Sequence, residues 1–335
     1  LLADPAAAEN NAYFDAVAVH QYSNPLNCFA VPLIYRRVLA RYGLSKPIWI
    51  VESNVVPYDD PLLPLPREGL RASLEEQANY VIQSIALARA AGVERYSIYK
   101  MRDEEPENQQ YYGLVRNDGS ARPAYIAYQV AAHEFANVQQ AQYFWSGSAT
   151  PPSSDEITAL LASNATQLQF IWPGALNGVR MTRGADRVTV LWNVTAAPLA
   201  VGVPSSLPEA TLVDKRGQSQ LLARQDDGAF HLTLAPATNN TDTRDQRLVL
   251  VGGDPVILIE PGAAQANDPY PRPIDACWGV PGALVRPITN PNDTWVASTG
   301  YAVSGPWLAY LRGHGDVDYV GLPRSPIVPD PQNPG

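Results

Sequence analysis

Over the first 136 residues, apolar runs and amphipathic stretches take turns. Residues 48–51 (Ile-Trp-Ile-Val) are apolar without interruption, bounded by Pro47 and Glu52. A short continuous run of this kind predicts a strand buried on both faces, as in a parallel sheet. Residues 13–19 (Tyr-Phe-Asp-Ala-Val-Ala-Val) predict another, stopped by the polar cluster His20-Gln21-Tyr22-Ser23-Asn24-Pro25. Between them, residues 31–42 carry Ile34, Val38 and Tyr42 on one helical face, with Gly43 placed to cap the end. Ser73-Leu74-Glu75-Glu76 has the form of a capping box. The helix it opens puts Leu74, Ala78, Val81, Ile82 and Ile85 on one stripe and ends at Gly92. Residues 95–100 predict a third strand, Asp118-Gly119 a turn, and Pro123 the start of a helix reaching about residue 136. The order βαβαβα predicts a parallel sheet with helices outside. Three such units leave both outer strands with unpaired backbone edges. Further strands before Leu1, or another chain, are expected to cover them.

From about residue 140 the pattern changes. Residues 188–192, 210–213, 230–234, 248–251 and 256–260 are short runs rich in β-branched and aromatic side chains, separated by turn clusters such as Asp226-Asp227-Gly228. That spacing predicts an antiparallel sandwich. Residues 263–284, rich in Pro, Ala and Asp, read as a linker. A small unit from residue 285 contains Trp295, Trp307, Tyr310 and Tyr319 among glycines. The expected fold class is therefore α/β plus all-β, with units at 1–139, 140–262 and 285–335.

Composition narrows the function. The chain has 335 residues, 46% hydrophobic, enough for more than one core. A net charge of −9, with no Lys/Arg run, argues against a nucleic-acid partner. No apolar stretch reaches the roughly 20 residues of a membrane span. Two cysteines, Cys28 and Cys277, and four dispersed histidines give no zinc-ligand spacing, so neither a metal nor another cofactor is expected. The cysteines fit either one disulfide or two free thiols. Four N-x-S/T sequons stand at Asn164, Asn193, Asn239 and Asn292, a weak sign of export. Leu1 is not a Met, which fits a chain cleaved from, or part of, something longer.

Glu52 is the candidate for chemistry. A carboxylate at the C-terminal end of a parallel strand can serve as nucleophile, base or metal ligand. Equally, it can cap a helix or pair with an Arg. His20 taken alone reads as a core histidine.

Residues 13–136 resemble the C-terminal half of the (β/α)₈ barrel of clan-A retaining glycoside hydrolases. The matching pieces are Phe14-Asp15 through His20-Gln21-Tyr22 for strand 6, Lys46-Pro47-Ile48-Trp49-Ile50-Val51-Glu52 for strand 7 and Tyr96-Ser97-Ile98-Tyr99 for strand 8. Gly113-Leu114, Asp118-Gly119 and Arg122-Pro123-Ala124-Tyr125 resemble the segment that follows. The sandwich, with Val190-Leu191-Trp192-Asn193 and Gly252-Gly253-Asp254-Pro255, looks like the β-domain that often trails such barrels. The resemblance implies that Glu52 is the nucleophile, with His20 and Tyr22 beside it and Tyr99, Lys100 and Asp103 toward substrate. Donors such as a phenol and an imidazole N–H favour the ionised carboxylate. Retaining chemistry also needs an acid/base carboxyl roughly 5–5.5 Å from the nucleophile. In that family it is a Glu after an Asn on strand 4, and this chain contains no Asn-Glu pair. A Trp common at the end of strand 8 is replaced by Tyr99 or Lys100.

Thr299-Gly300-Tyr301 through Val320-Gly321-Leu322-Pro323 resembles the short L-G-F-P-like repeats of exported bacterial proteins, implying wall or glycan association. A mini-core of aromatics explains the same residues. Two functions follow as expectations: an exported glycoside hydrolase acting on a carbohydrate substrate, represented without its N-terminal barrel half, or a non-catalytic cell-surface or filament component that binds glycans or other subunits.

Overall fold

The computed structural model of the chain describes residues 2–63, 72–103, 111–146, 155, 159, 167–238, 249–274, 285–288, 294–296 and 302–304. Its first part alternates β1 (Val17–Tyr22), α1 (Asn27–Arg41), β2 (Ile48–Asn54), α2 (Leu74–Ala90), β3 (Arg95–Tyr96) and α3 (Pro123–Glu134). The three strands form one sheet in the order β1-β2-β3, and both pairings are parallel. Local chemistry explains the helix ends. Ser73 Oγ accepts from the Glu76 N–H while the Glu76 carboxylate accepts from the Ser73 N–H, closing the capping box. Gly43 and Gly92 take φ +67° and +66° just past α1 and α2, where a Cβ would be strained.

Several expectations need correction. β1 begins at Val17 and runs through Tyr22, so His20, Gln21 and Tyr22 belong to the strand, and only Ser23, Asn24 and Pro25 to the turn after it. Tyr13 instead lies in a short 3₁₀ turn, Asn11–Tyr13. β3 is only two residues long, since the chain beyond it leaves the ladder. α1 starts four residues early, at Asn27. It buries Cys28, Ala30, Pro32 and Leu39, whereas Tyr42 is exposed. β2 is not buried on both faces. Ile48 and Ile50 are fully buried on the helix side, but Trp49 and Val51 are only half-buried, because no described element covers that side of the sheet.

α2 departs furthest from a one-sided stripe. From Glu76 to Ala88 every residue except Ile85 is buried. The reason is a second neighbour. One flank packs on the parallel sheet and the other on the antiparallel strands, within a single apolar cluster that joins Ile48, Ile50, Val81 and Ile82 to Val190, Trp192 and Ile257. The polar groups on the second flank are satisfied by backbone. Gln83 accepts from the Gly252 N–H and donates to the Gly253 carbonyl, both at 3.0 Å, and Asn79 Nδ2 donates to the Gly252 carbonyl at 3.2 Å.

The remaining strands are β4 (Val138–Trp145), β5 (Gln167–Phe170), β6 (Leu176–Arg183), β7 (Asp186–Asn193), β8 (Leu199–Pro204), β9 (Glu209–Asp214), β10 (Ser219–Ala223), β11 (Ala229–Leu234), β12 (Val256–Glu260), β13 (Arg272–Pro273), β14 (Val285–Ile288), β15 (Thr294–Val296) and β16 (Ala302–Ser304). An antiparallel six-stranded sheet, β10-β9-β12-β7-β6-β4, faces a three-stranded sheet, β11-β8-β13. Leu176, Leu191, Val201, Val203, Phe230, Leu234 and Leu258 fill the space between them. Residues 249–251 are not a strand: they form a connector whose Leu250 carbonyl accepts from Trp172 Nε1 at 3.1 Å. Residues 263–274, expected as linker, are laid on the sandwich. Arg187 pairs with Asp268 at 2.8 Å, Arg180 stacks 4.2 Å above the Tyr270 ring, and β13 pairs with β8.

The sequon residue Asn193 is fully buried, its amide donating to the Ala197 carbonyl, which leaves no room for a glycan. Asn164, Asn239, Asn292, Cys277 and most of the L-G-F-P-like stretch lie outside the described residues. Within that unit β15 and β16 pair antiparallel, and β14 pairs with β5.

Candidate active site

Glu52 sits near the C-terminal end of β2, and a break in register decides which way it points. Val19 pairs with Ile50, but His20 pairs with Glu52, so Val51 is an extra residue in β2. The other neighbour shows the same bulge: the Ser97 N–H reaches the Ile50 carbonyl and the Tyr99 N–H the Ser53 carbonyl, two residues against three. Strict alternation would place Glu52 on the same face as Ile48 and Ile50, in the helix layer. The bulge re-aims it to the open face, where His20 and Tyr22 of β1 also lie. Ser53 takes the buried side instead.

Three of the predicted residues therefore converge. The Tyr22 hydroxyl donates to Glu52 Oε2 at 2.7 Å, and His20 Nδ1 lies 3.1 Å from the same oxygen. Oε1 receives no hydrogen bond from the described residues. The Glu52 side chain is 33% exposed and that of His20 56% exposed. Burial, and then the hydrogen bond to the Glu52 carboxylate, push the Tyr22 phenol well above its ordinary range. Tyr22 therefore stays a donor at any working pH. Among the described residues, this grouping holds the carboxylate by one oxygen and leaves the other open.

Tyr99 joins the site through ring contacts. Tyr22, Tyr99 and Tyr112 form a three-ring cluster, with centroids 5.3–6.2 Å apart and edge-to-face angles. Tyr112 was not predicted. Its carbonyl is held by Asn54 Nδ2 at 2.7 Å and Gln77 Nε2 at 3.3 Å, long-range bonds that no local pattern announces. Lys100 places its ammonium 5.0 Å from the Tyr99 ring centroid.

Asp103 is elsewhere. Its two oxygens accept from Arg122 Nη1 at 2.9 Å and Nη2 at 2.7 Å, and Oδ1 also accepts from the Gly113 N–H at 2.8 Å. Arg122 Nε and Arg116 Nε both donate to Asp60 Oδ2 at 2.8 Å. Arg122, Asp60 and Asp103 are all buried. Asp103 is thus taken up by a bidentate ion pair and is not presented to substrate. Pairs of this kind are read from space, since nineteen residues separate the two.

Comparison with known proteins bears on the same region. Residues 5–128 match the family model described as glycosyl hydrolase catalytic core. That stretch holds His20, Tyr22, Glu52, Tyr99 and Tyr112. No curated protein matches the chain. Among solved structures, a family 39 glycoside hydrolase from the gut symbiont Bacteroides cellulosilyticus WH2 is similar at 16% identity and TM-score 0.48, over 76% of this chain and 46% of its own. A GH30 endoxylanase from Clostridium papyrosolvens C71 is similar at 13% identity and TM-score 0.43, over 78% and 51%. The chain spans about half the length of these structures, and likenesses at this distance carry no argument about substrate. Among the described residues, no helix is long and apolar enough to cross a membrane and no group of three or more His, Cys, Asp or Glu could hold a metal ion.

Proposed function

We propose that this chain carries the C-terminal half of the barrel of an exported, retaining glycoside hydrolase, with Glu52 as the nucleophile. The observation that supports it is the Glu52 carboxylate, turned out of the helix layer by a bulge and held through Oε2 by Tyr22 and His20. Oε1 attacks the anomeric carbon, an ester to the sugar forms, and the bond to the leaving oxygen breaks. The leaving oxygen takes its proton from an acid/base carboxyl that this chain does not supply. Water then cleaves the ester and Glu52 returns as carboxylate. Tyr99, Lys100 and Tyr112 line the sugar side of the site. The division into a barrel part to residue 139, a sandwich to 262 and a repeat from 285 belongs to the same proposal, as does an extracellular or cell-surface location.

The test is covalent trapping. An activated 2-deoxy-2-fluoroglycoside has a leaving group that departs without a proton, so it reports on the nucleophile alone. The native protein, with whatever completes its sheet, should gain one fluorosugar on the peptide containing Glu52, and Glu52→Gln should gain none. A label on a different carboxylate would overturn the assignment. Residues 1–335 purified alone should not turn over unactivated glycosides, because general acid help is worth about 10²–10⁴-fold.

A second reading is a surface component that keeps the scaffold and binds glycans; an Asn-Glu pair at the end of a fourth strand would favour the enzyme, and its absence there would favour this reading. It predicts glycan binding by the native protein with neither trapping nor turnover.

A further inference from the structure

Behind Glu52, on the buried side of the sheet, lies a chain of hydroxyl and thiol groups. Ser53 Oγ is 2.8 Å from the Tyr80 hydroxyl, and that hydroxyl donates to the Gln21 carbonyl at 2.9 Å. Cys28 Sγ stands 3.5 Å from Ser53 Oγ. Ser53, Tyr80 and Cys28 are fully buried. A phenol has one proton, and here it goes to Gln21, so Ser53 donates to Tyr80 and the Cys28 thiol donates to Ser53. Burial pushes that thiol up to about 12, which keeps its proton in place for this role.

Tyr80 of α2 thus grips both strands of the site one residue away from each functional side chain. Gln21 lies between His20 and Tyr22, and Ser53 follows Glu52. We infer that Tyr80 and Ser53 are positioning residues that lock the bulge of β2 and so hold Glu52 against Tyr22. In the unbulged register Ser53 would turn to the open face and lose Tyr80, while the Glu52 carboxylate would enter the layer of Ile48 and Ile50. The hydroxyl bond therefore favours the bulged register, beyond its own contribution to packing. The inference deepens the nucleophile reading, which gives it a catalytic consequence, but the geometry it asserts stands without that reading.

The experiment follows the Tyr22 phenol in the full chain by ¹³Cζ-tyrosine NMR against pH, with Tyr22→Phe assigning the resonance. The groups facing this phenol are Glu52, Tyr99 and Tyr112. In the wild type Tyr22 should stay protonated through pH 11. In Tyr80→Phe and in Ser53→Ala, Glu52 moves off Tyr22, one cause of the raised phenol is lost, and Tyr22 should begin to ionise at a lower pH than in the wild type. Tyr143→Phe is the control. It removes another buried hydroxyl bond, to Asn177 at 2.5 Å, and should lower the melting temperature without moving Tyr22. If Tyr80→Phe does not fold, Ser53→Ala, a change of one atom, decides. Folded variants in which Tyr22 titrates as in the wild type would overturn the inference and reduce both residues to packing. Trapping on Glu52 is scored separately. A wild type whose Tyr22 responds as expected but which takes no fluorosugar rejects the nucleophile and leaves the positioning intact.

Discussion

Two acids, one within β2 and one after β3, live under opposite rules. Asp103, after β3, is buried and has both oxygens saturated by Arg122. Glu52, near the end of β2, is a third exposed, meets a phenol and an imidazole on one oxygen, and has the other bare of bonds from the described residues. The contrast separates a carboxylate that builds the fold from one that can do chemistry. A guanidinium neutralises its partner and fixes it in two places. A neutral phenol orients a carboxylate and leaves its charge and a lone pair available. Strand-end acidity alone does not discriminate between them; what lies opposite each oxygen does.

The comparison breaks most visibly at Arg122. Truncation to Met would leave Asp103 buried without a cation and Asp60 with Arg116 alone, so Arg122→Met should cost about 3–5 kcal/mol, read by urea denaturation with tryptophan fluorescence. A loss below about 1 kcal/mol would mean that the network is ornamental. Acid gives the next largest effect. Burial works to raise the Asp60 carboxyl, but the hydrogen bonds from Arg116 and Arg122 outweigh it and hold the group below the usual range. A folded-state value lower than the unfolded one contributes stability that is fully present above about pH 4, the unfolded range, and fades as pH falls through the folded value. Melting temperature should drop on acidification through that window, and Asp60→Asn should flatten the slope while lowering the plateau. Tyr22→Phe should cost only about 1 kcal/mol, the net worth of one hydrogen bond. Smallest of all, Glu52→Gln should stay within about 0.5 kcal/mol of wild type while abolishing trapping. Equal destabilisation by Glu52→Gln and Asp103→Asn would erase the distinction.

Much of the local structure was legible in the chain because its causes are local. Ser73 and Glu76 announce a capping box, Gly43 and Gly92 mark helix ends, and the apolar run ending at Glu52 marks a strand. His20, Tyr22 and Glu52 could be grouped because parallel strands share a C-terminal rim. What escaped depends on contacts across long stretches. The bulge at Val51 leaves no trace in a run of apolar residues, although it alone settles where Glu52 points. Asp103 looked available because its arginine comes nineteen residues later. Tyr112 gave no signal, since Asn54 and Gln77 fix it from elsewhere. Ile34 of the predicted helical face packs on the core, but Tyr42 lies just past the end of α1 and is exposed.

The double burial of α2 also bears on how such a protein can change over generations. A helix with one wet side tolerates exchange of whatever stands opposite. Between Glu76 and Ala88 this one leaves only Ile85 partly open: Asn79 and Gln83 are tuned to the backbone at Gly252 and Gly253, and Lys215 Nζ reaches Asn79 Oδ1 at 2.9 Å. Recombination that swapped either flank for a distant cousin's would strand amides in an apolar seam, so both flanks must be inherited together. A recombinant fragment cut at residue 139 would expose that seam to water and should be recovered as aggregate.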